Sequence, residues 1–279
     1  MWCPKNNKAL CCKADTPQAA FELDVYLPEL KHFSPDEVVA IIVPVFVREE
    51  FFRDYETLSF SKLSNPALYR SAFLPLDDIL DEKGWYVYWA IHLFALGDAC
   101  PKLTDDNRCS IYNSRPYMCR AYPFVSGDRK VLVNPLIVCK ECANISKLPT
   151  INQVRKYEKR LKERLKPLLR EHRKAMEVLM KGILMHEAVG NAFKRATQEN
   201  LKNIQKGIAG MGNGIHINLP MTLSLILGVW GTKGIDRQIE TTKKLISFYK
   251  EKGNTLANGF ESYLQFLEDA KKQLQGGQR

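Results

Sequence analysis

The chain has 279 residues, 41 Lys+Arg against 31 Asp+Glu for a net charge of +10, and eight cysteines. That length buries a core without covalent staples, so the cysteines are not needed to rescue a tiny fold. No basic segment followed by an apolar one opens the sequence, and its most apolar stretches, 38–47 and 85–96, are too short to cross a bilayer. The expectation is a cytoplasmic protein with no membrane association.

In chain order, Ser34-Pro35-Asp36-Glu37 offers an N-cap, a proline at the first helical position and early acids before an apolar run, which predicts a helix from 35 into the fifties. Residues 85–96 are rich in aromatics and in Val and Ile but alternate poorly, so they read equally as a buried strand or a buried helix. Cys100-Pro-Lys-Leu, the polar turn 104–108 and Cys109-Ser-Ile-Tyr112 predict a hairpin with a cysteine on each arm. Val154, Tyr157, Leu161, Leu165, Leu168, Met176, Leu179 and Ile183 recur at helical spacing, which predicts one amphipathic helix over 152–184 or a pair broken at Pro167, with a basic polar face. A helix over 186–205, a loop over 207–214 and helices over 236–251 and 256–274, flanking Gly253-Asn254, complete the chain. There is no internal repeat and no low-complexity tract.

Charge divides the chain. Residues 1–149 hold 17 Lys+Arg against 19 Asp+Glu, whereas 150–279 hold 24 against 12, so the net positive charge belongs to the second part. The cysteines divide it at the same place: Cys3, Cys11 and Cys12, then Cys100, Cys109 and Cys119, then Cys139 and Cys142, and none beyond. In a reducing compartment eight such residues point to metal rather than to disulfides. Thiolates are soft ligands that suit zinc or an iron–sulfur cluster, and eight suffice for two four-ligand sites. Cys139-Lys-Glu-Cys142 has the two-residue gap that lets a turn aim both sulfurs at one metal. The expected fold is therefore an α-rich α+β protein. A cysteine-rich metal-binding domain with a short β-hairpin occupies 1–149, and a basic helical domain occupies 150–279.

Cys100, then Cys109-Ser-Ile-Tyr112, Arg115-Pro116, Cys119-Arg120 and Tyr122-Pro123-Phe124, with a Cys-Cys pair upstream and a cysteine downstream, resemble the YkgJ-type cysteine-cluster family, described as a zinc- or iron-chelating domain. The likeness covers about the first 145 residues, and its centre lies between 100 and 124. The chain departs from the family pattern at both ends. Cys3 stands alone, with seven residues between it and Cys11-Cys12, and Cys139 precedes Lys140-Glu141 where the family has Pro-Gly. The resemblance implies a metal set drawn from all eight cysteines. Because the family includes the flagellin lysine N-methylases, it also implies methylation of protein lysine with S-adenosylmethionine as an activity to consider.

Arg115 and Arg120 flank these ligands. They either donate hydrogen bonds to thiolate or sulfide, and so help bind a negatively charged 4Fe-4S cluster, or form ordinary ion pairs with Asp105, Asp106 or Asp128. His92 lies inside an aromatic run, where a satisfied core role is the ordinary reading, and His172, His186 and His216 show no ligand spacing. The glycines at 207, 210, 212 and 214 follow a helix end rather than a strand, which favours a linker over a phosphate cradle. No Ser-His-Asp set, Walker-type loop or paired-carboxylate pattern stands out. Three functions follow: an iron–sulfur enzyme acting on protein lysine, an electron-transfer or maturation factor docking on a larger enzyme, and a zinc-stabilised adaptor. In each, the basic helices meet an acidic protein or, alternatively, nucleic acid.

Overall fold

A computed structural model of the chain describes residues 12–13, 19–50, 70–80, 82–121, 124–127, 130–133, 151–205 and 211–276. The fold is α+β, a small antiparallel sheet packed among long helices. Strand β1 spans Glu22–Val25, β2 Val38–Arg48, β3 Leu74–Pro75 and β4 Trp85–Ala95. β4 is the central strand. β2 pairs with it along its whole length, from Val38 opposite Ala95 to Arg48 opposite Trp85. On the other side β1 covers Ile91 to Phe94 and β3 covers Tyr86 and Val87, so among the described strands none pairs with the middle of that edge. A separate ribbon pairs β5, Phe124–Gly127, with β6, Lys130–Val133.

The ambiguity over 85–96 resolves as a strand. Trp85, Val87, Trp89, Ile91, Leu93 and Ala95 are buried, and the residues between them are only half-buried. The period is therefore two, but Tyr86, Tyr88, Ala90 and Phe94 on the second face hide it from a hydropathy reading.

The helix expected from 35 into the fifties is a strand as far as residue 48. Its start signal is real but makes only one turn: Glu37 Oε2 accepts from Ser34 N at 2.8 Å, and Glu37 N donates back to Ser34 O at 3.0 Å. Beyond it the β-branched run Val38, Val39, Ile41, Ile42, Val43, Val45 and Val47 favours a pleated surface over a helix. Pro44 is tolerated because β2 is an edge strand. The amides of Ala40 and Ile42 already point away from β4, and by alternation the nitrogen of Pro44 does too.

Six α-helices have described bounds, the first of them α1, Tyr117–Ala121. The others are α2, Ile151–Met185, α3, Glu187–Gln205, α4, Met211–Trp230, α5, Thr232–Glu251, and α6, Leu256–Gly276. α2 runs unbroken through Pro167, so the alternative of a broken pair falls away. α4 was not anticipated, and it takes in Gly212 and Gly214 where a loop was expected; the rest of that loop, 207–210, lies outside the described residues. One face of the sheet packs on Met176, Met180 and Ile183 of α2, Phe193 of α3 and Met221 and Leu225 of α4. On the other face Val39, Ile41 and Phe94 pack with Ile226, Ile239, Tyr249, Phe260 and Tyr263 of α4, α5 and α6. Each large side chain fully buried this way contributes about 1.5–3 kcal/mol.

Helix side chains also close the open sheet edges. Gln238 accepts from Ala40 N at 3.1 Å and donates to Val38 O at 2.7 Å and Pro35 O at 3.0 Å, so its amide stands where another strand would. Thr222 Oγ1 accepts from Ile42 N at 3.0 Å, and Tyr263 donates to Ala40 O at 3.3 Å. At the gap between β1 and β3, His172 of α2 donates from Nε2 to Trp89 O at 2.6 Å and accepts at Nδ1 from Leu27 N at 3.1 Å. A bare strand edge recruits other strands, and these side chains remove that option.

Candidate metal centre

Four of the eight cysteines lie among the described residues: Cys12, Cys100, Cys109 and Cys119. Cys3, Cys11, Cys139 and Cys142 lie outside them. Cys100 follows β4 through Gly97, whose φ of 143° suits a residue without a side chain. A short antiparallel contact then forms between Lys13 and Ala99, and Cys100 N donates to Cys12 O at 2.7 Å. Cys100 is buried against Phe21 and Ala95, with Cys12 and Leu103 packed beside it. Residues far apart in sequence, one from the upstream Cys-Cys pair and one from the central stretch, thus meet at the end of the central strand.

The expected hairpin is present as a tight loop with a single bridge, Leu103 opposite Cys109. Thr104 closes its turn, donating from backbone N and from Oγ1 to Arg108 O, each at 2.8 Å, while Asn107 adopts a left-handed φ of 58°. Lys102 Nζ reaches both carboxylate oxygens of Glu37 at 2.7 Å and ties the hairpin to the turn that precedes β2. Cys109 is a half-buried free thiol.

Past the hairpin, a 3-10 turn over Tyr112–Ser114 leads through Arg115 and Pro116 into α1, which carries Cys119 and Arg120. The structure separates the two arginines. Arg120 donates from Nε to Arg115 O and from Nη2 to Asn113 O, both at 2.6 Å, and so braces the loop that leads into its own helix. Arg115 lays its guanidinium 3.8 Å over the Tyr112 ring, and among the described residues its buried Nε has no hydrogen-bond partner. Of the proposed ion-pair partners, Asp106 pairs with Arg108 at 3.0 Å and Asp128 lies outside the described residues.

Glu29 went unnoticed in the sequence. It sits in a 3-10 helix, Leu27–His32, and is only 6% exposed. Its Oε2 accepts from Tyr26 N at 3.0 Å, and its Oε1 accepts from Tyr117 N, the first residue of α1, at 2.5 Å. Burial pushes its carboxyl above the usual range, opposed by these two hydrogen bonds and by the charge of Arg120. Its one sequence signal is an acid within the otherwise apolar run Tyr26-Leu-Pro-Glu-Leu30.

Both described histidines near the sheet are engaged. Burial disfavours a charged His92, but hydrogen bonds and the charges of Asp24, 2.6 Å from Nδ1, and Glu22, 3.1 Å from Nε2, outweigh it and raise its pKa to about 9. Burial holds His172 at about 4, against a small opposing effect of Trp89 O, so it is neutral at pH 7. Among the described residues no three His, Cys, Asp or Glu side chains gather as a metal-binding group. The described cysteines fit a metal in their donor chemistry, and the orphaned Nε of Arg115 fits an anionic acceptor on the same segment.

Among the described residues no helix is long and apolar enough to cross a membrane. A family model described as "CxxCxxCC: Putative zinc- or iron-chelating domain" matches residues 8–160, more than half of the chain. No curated protein matches, and no solved structure matches.

Proposed function

This chain belongs to the CxxCxxCC family of zinc- or iron-chelating domains, and from that premise we propose that its cysteines hold an iron–sulfur cluster in preference to zinc. The ligands come from Cys3, Cys11, Cys12, Cys100, Cys109, Cys119, Cys139 and Cys142. The observation that carries the reading is the hydrogen bond from Cys100 N to Cys12 O, which draws Cys12 to the central stretch. Two further features support iron over zinc. His92 and His172 are spent on carboxylates and backbone groups, which removes two of the five histidines as ligands and favours sulfur donors. Arg115 also retains a buried donor suited to thiolate or sulfide.

Bound there, a cluster supplies electron transfer or an anchoring point for a second molecule. The protein's own residues hold the loop: Arg120 braces 113–115, Lys102 ties the hairpin to Glu37, and Arg115 offsets negative charge. The kinship with flagellin lysine N-methylases makes S-adenosylmethionine the first small molecule to test and a protein lysine the first substrate. The exposed cations Lys159, Arg160, Lys166, Arg170 and Lys174 of α2 are the surface assigned to an acidic protein partner. A reducing cytoplasm is the compartment such a centre needs.

The test is anaerobic purification followed by iron, sulfide and zinc analysis. Iron and sulfide together, lost in Cys100→Ser and Cys109→Ser, are the expected result. Zinc without iron or sulfide overturns the preference for a cluster, and the absence of any stoichiometric metal overturns the whole reading.

A further inference from the structure

We propose that Glu29 is a positioning residue for the metal centre, setting where Cys119 points through its hold on the first backbone amide of α1. The inference rests on the reading of Cys119 as a ligand and goes beyond it, because Glu29 touches no cysteine in the described contacts and belongs to no motif.

The carboxylate joins two segments 88 residues apart in sequence. One oxygen holds Tyr26 N at the start of the Leu27–His32 turn, and the other holds Tyr117 N at the start of α1. Cys119 lies two residues further along a five-residue helix, too short to keep its orientation by its own hydrogen bonds. On its other side Arg120 is anchored to the carbonyls of Asn113 and Arg115. Cys119 therefore sits between two anchors, and the Glu29 anchor, with the Tyr117 ring packed beside Tyr26, leads to the sheet. Tyr26 and Tyr117 meet edge to face with ring centroids 6.0 Å apart, and Tyr26 meets His172 at 5.7 Å. His172 in turn bonds Leu27 N and Trp89 O. The direction of the Cys119 side chain is thereby referred to the central strand, at whose end Cys100 lies.

A carboxylate suits this place better than a neutral side chain. Both oxygens accept, so both amides are satisfied at once, and hydrogen bonds to a charged acceptor are about twice as strong as neutral ones. In Glu29→Gln one oxygen becomes an NH2 group, which faces an N–H donor that it cannot pair with. That variant keeps the side chain's size and loses one anchor.

The test uses the full chain, reduced and loaded with cobalt(II), whose thiolate charge-transfer absorption reports how many sulfurs bind. Wild type is compared with Glu29→Gln, Glu29→Ala, Cys119→Ser and Gln238→Ala, the last serving as a control that loses buried hydrogen bonds at the distant edge of β2. Glu29→Gln should weaken cobalt binding about tenfold, the scale for an outer residue that orients a ligand. Its spectrum should shift toward that of Cys119→Ser, while Gln238→Ala, though less stable, keeps the wild-type spectrum. If Glu29→Ala fails to fold, Glu29→Gln alone decides. A wild-type affinity and spectrum in Glu29→Gln beside a changed Cys119→Ser overturns the positioning role and leaves the metal reading intact. An unchanged Cys119→Ser removes Cys119 as a ligand and overturns the positioning role, while the metal reading still rests on the other cysteines. Loss of cobalt in Gln238→Ala equal to that in Glu29→Gln reduces the effect to general stability and also overturns the proposal.

Discussion

His172 is the residue whose replacement tests the packing logic most directly. It is fully buried, and because Nδ1 faces the Leu27 N–H, its proton sits on Nε2 and points at Trp89 O. His172→Ala leaves that amide and that carbonyl without their partner, at about 1–3 kcal/mol for each buried group, and opens a cavity besides. A total loss of roughly 3–5 kcal/mol is expected at pH 7, read from urea denaturation with the metal state held constant. His172→Gln carries one acceptor and one donor that partly reproduce the pair, so it should lose clearly less. The acid limb separates the variants further. The native pKa of about 4 lies below the unfolded value of 6.5, so the unfolded chain takes up a proton first and stability falls as pH drops from 6.5 toward 4. Between pH 7 and pH 5 this histidine alone removes about 2 kcal/mol. Glutamine does not titrate, so the wild type should lose that much more than His172→Gln over the same interval. Equal acid losses in the two proteins, or a His172→Ala penalty under about 1 kcal/mol, would refute the reasoning.

Gln238→Ala strips three hydrogen bonds from the outer edge of β2 and should lower urea stability by roughly 2–4 kcal/mol, with faster hydrogen exchange at Ala40; a protected Ala40 amide contradicts it. For His92 the native pKa of about 9 lies above the unfolded 6.5, so its contribution is complete below pH 6.5 and disappears as pH rises through 9. Asp24→Asn should bring that titration down, as followed by NMR of the imidazole, and an unmoved value would show that Asp24 does not hold the charge. Gly234→Ala should destabilise in thermal melts by about 1–3 kcal/mol despite the better helix propensity of alanine. The new Cβ would lie 2.6 Å from Trp230 Cβ, which has no freedom to swing away; a stabilised variant would show that the α4–α5 junction yields easily.

The helices α2, α3, α5 and α6 were legible because each has one wet face, so apolar residues return every three or four positions. α4 was not, because Met221, Thr222, Leu225 and Ile226 are buried on two sides between the sheet and other helices, and no polar stripe marks its period. β2 was misread for a different reason: the local signal at Ser34-Pro35-Asp36-Glu37 is correct for one turn, and the structure beyond it depends on β4 and on Gln238, 198 residues away. At the candidate site the cysteines announced themselves by chemistry and grouping. Glu29 did not, because an acid becomes notable only when burial and a partner at Tyr117 are known, and both are tertiary facts. Arg115 and Arg120 looked alike in sequence and differ only in where their donors end.

The side-chain seals on β2 have a consequence for biosynthesis. A ribosome makes Ala40 198 residues before Gln238, and Ile42 180 residues before Thr222. At 5–20 residues per second the nascent strand waits roughly 10–40 s for the groups that cap it. Once β4 has been made it is available to pair for the rest of that interval, while the outer amides of β2 face whatever is nearby, including other nascent chains. The protein is therefore most vulnerable to aggregation before its last two helices have left the ribosome. A message truncated upstream of α4 yields a chain with that edge uncapped, and one truncated between α4 and α5 leaves Ala40 N and Val38 O without Gln238; either chain is a substrate for holding chaperones.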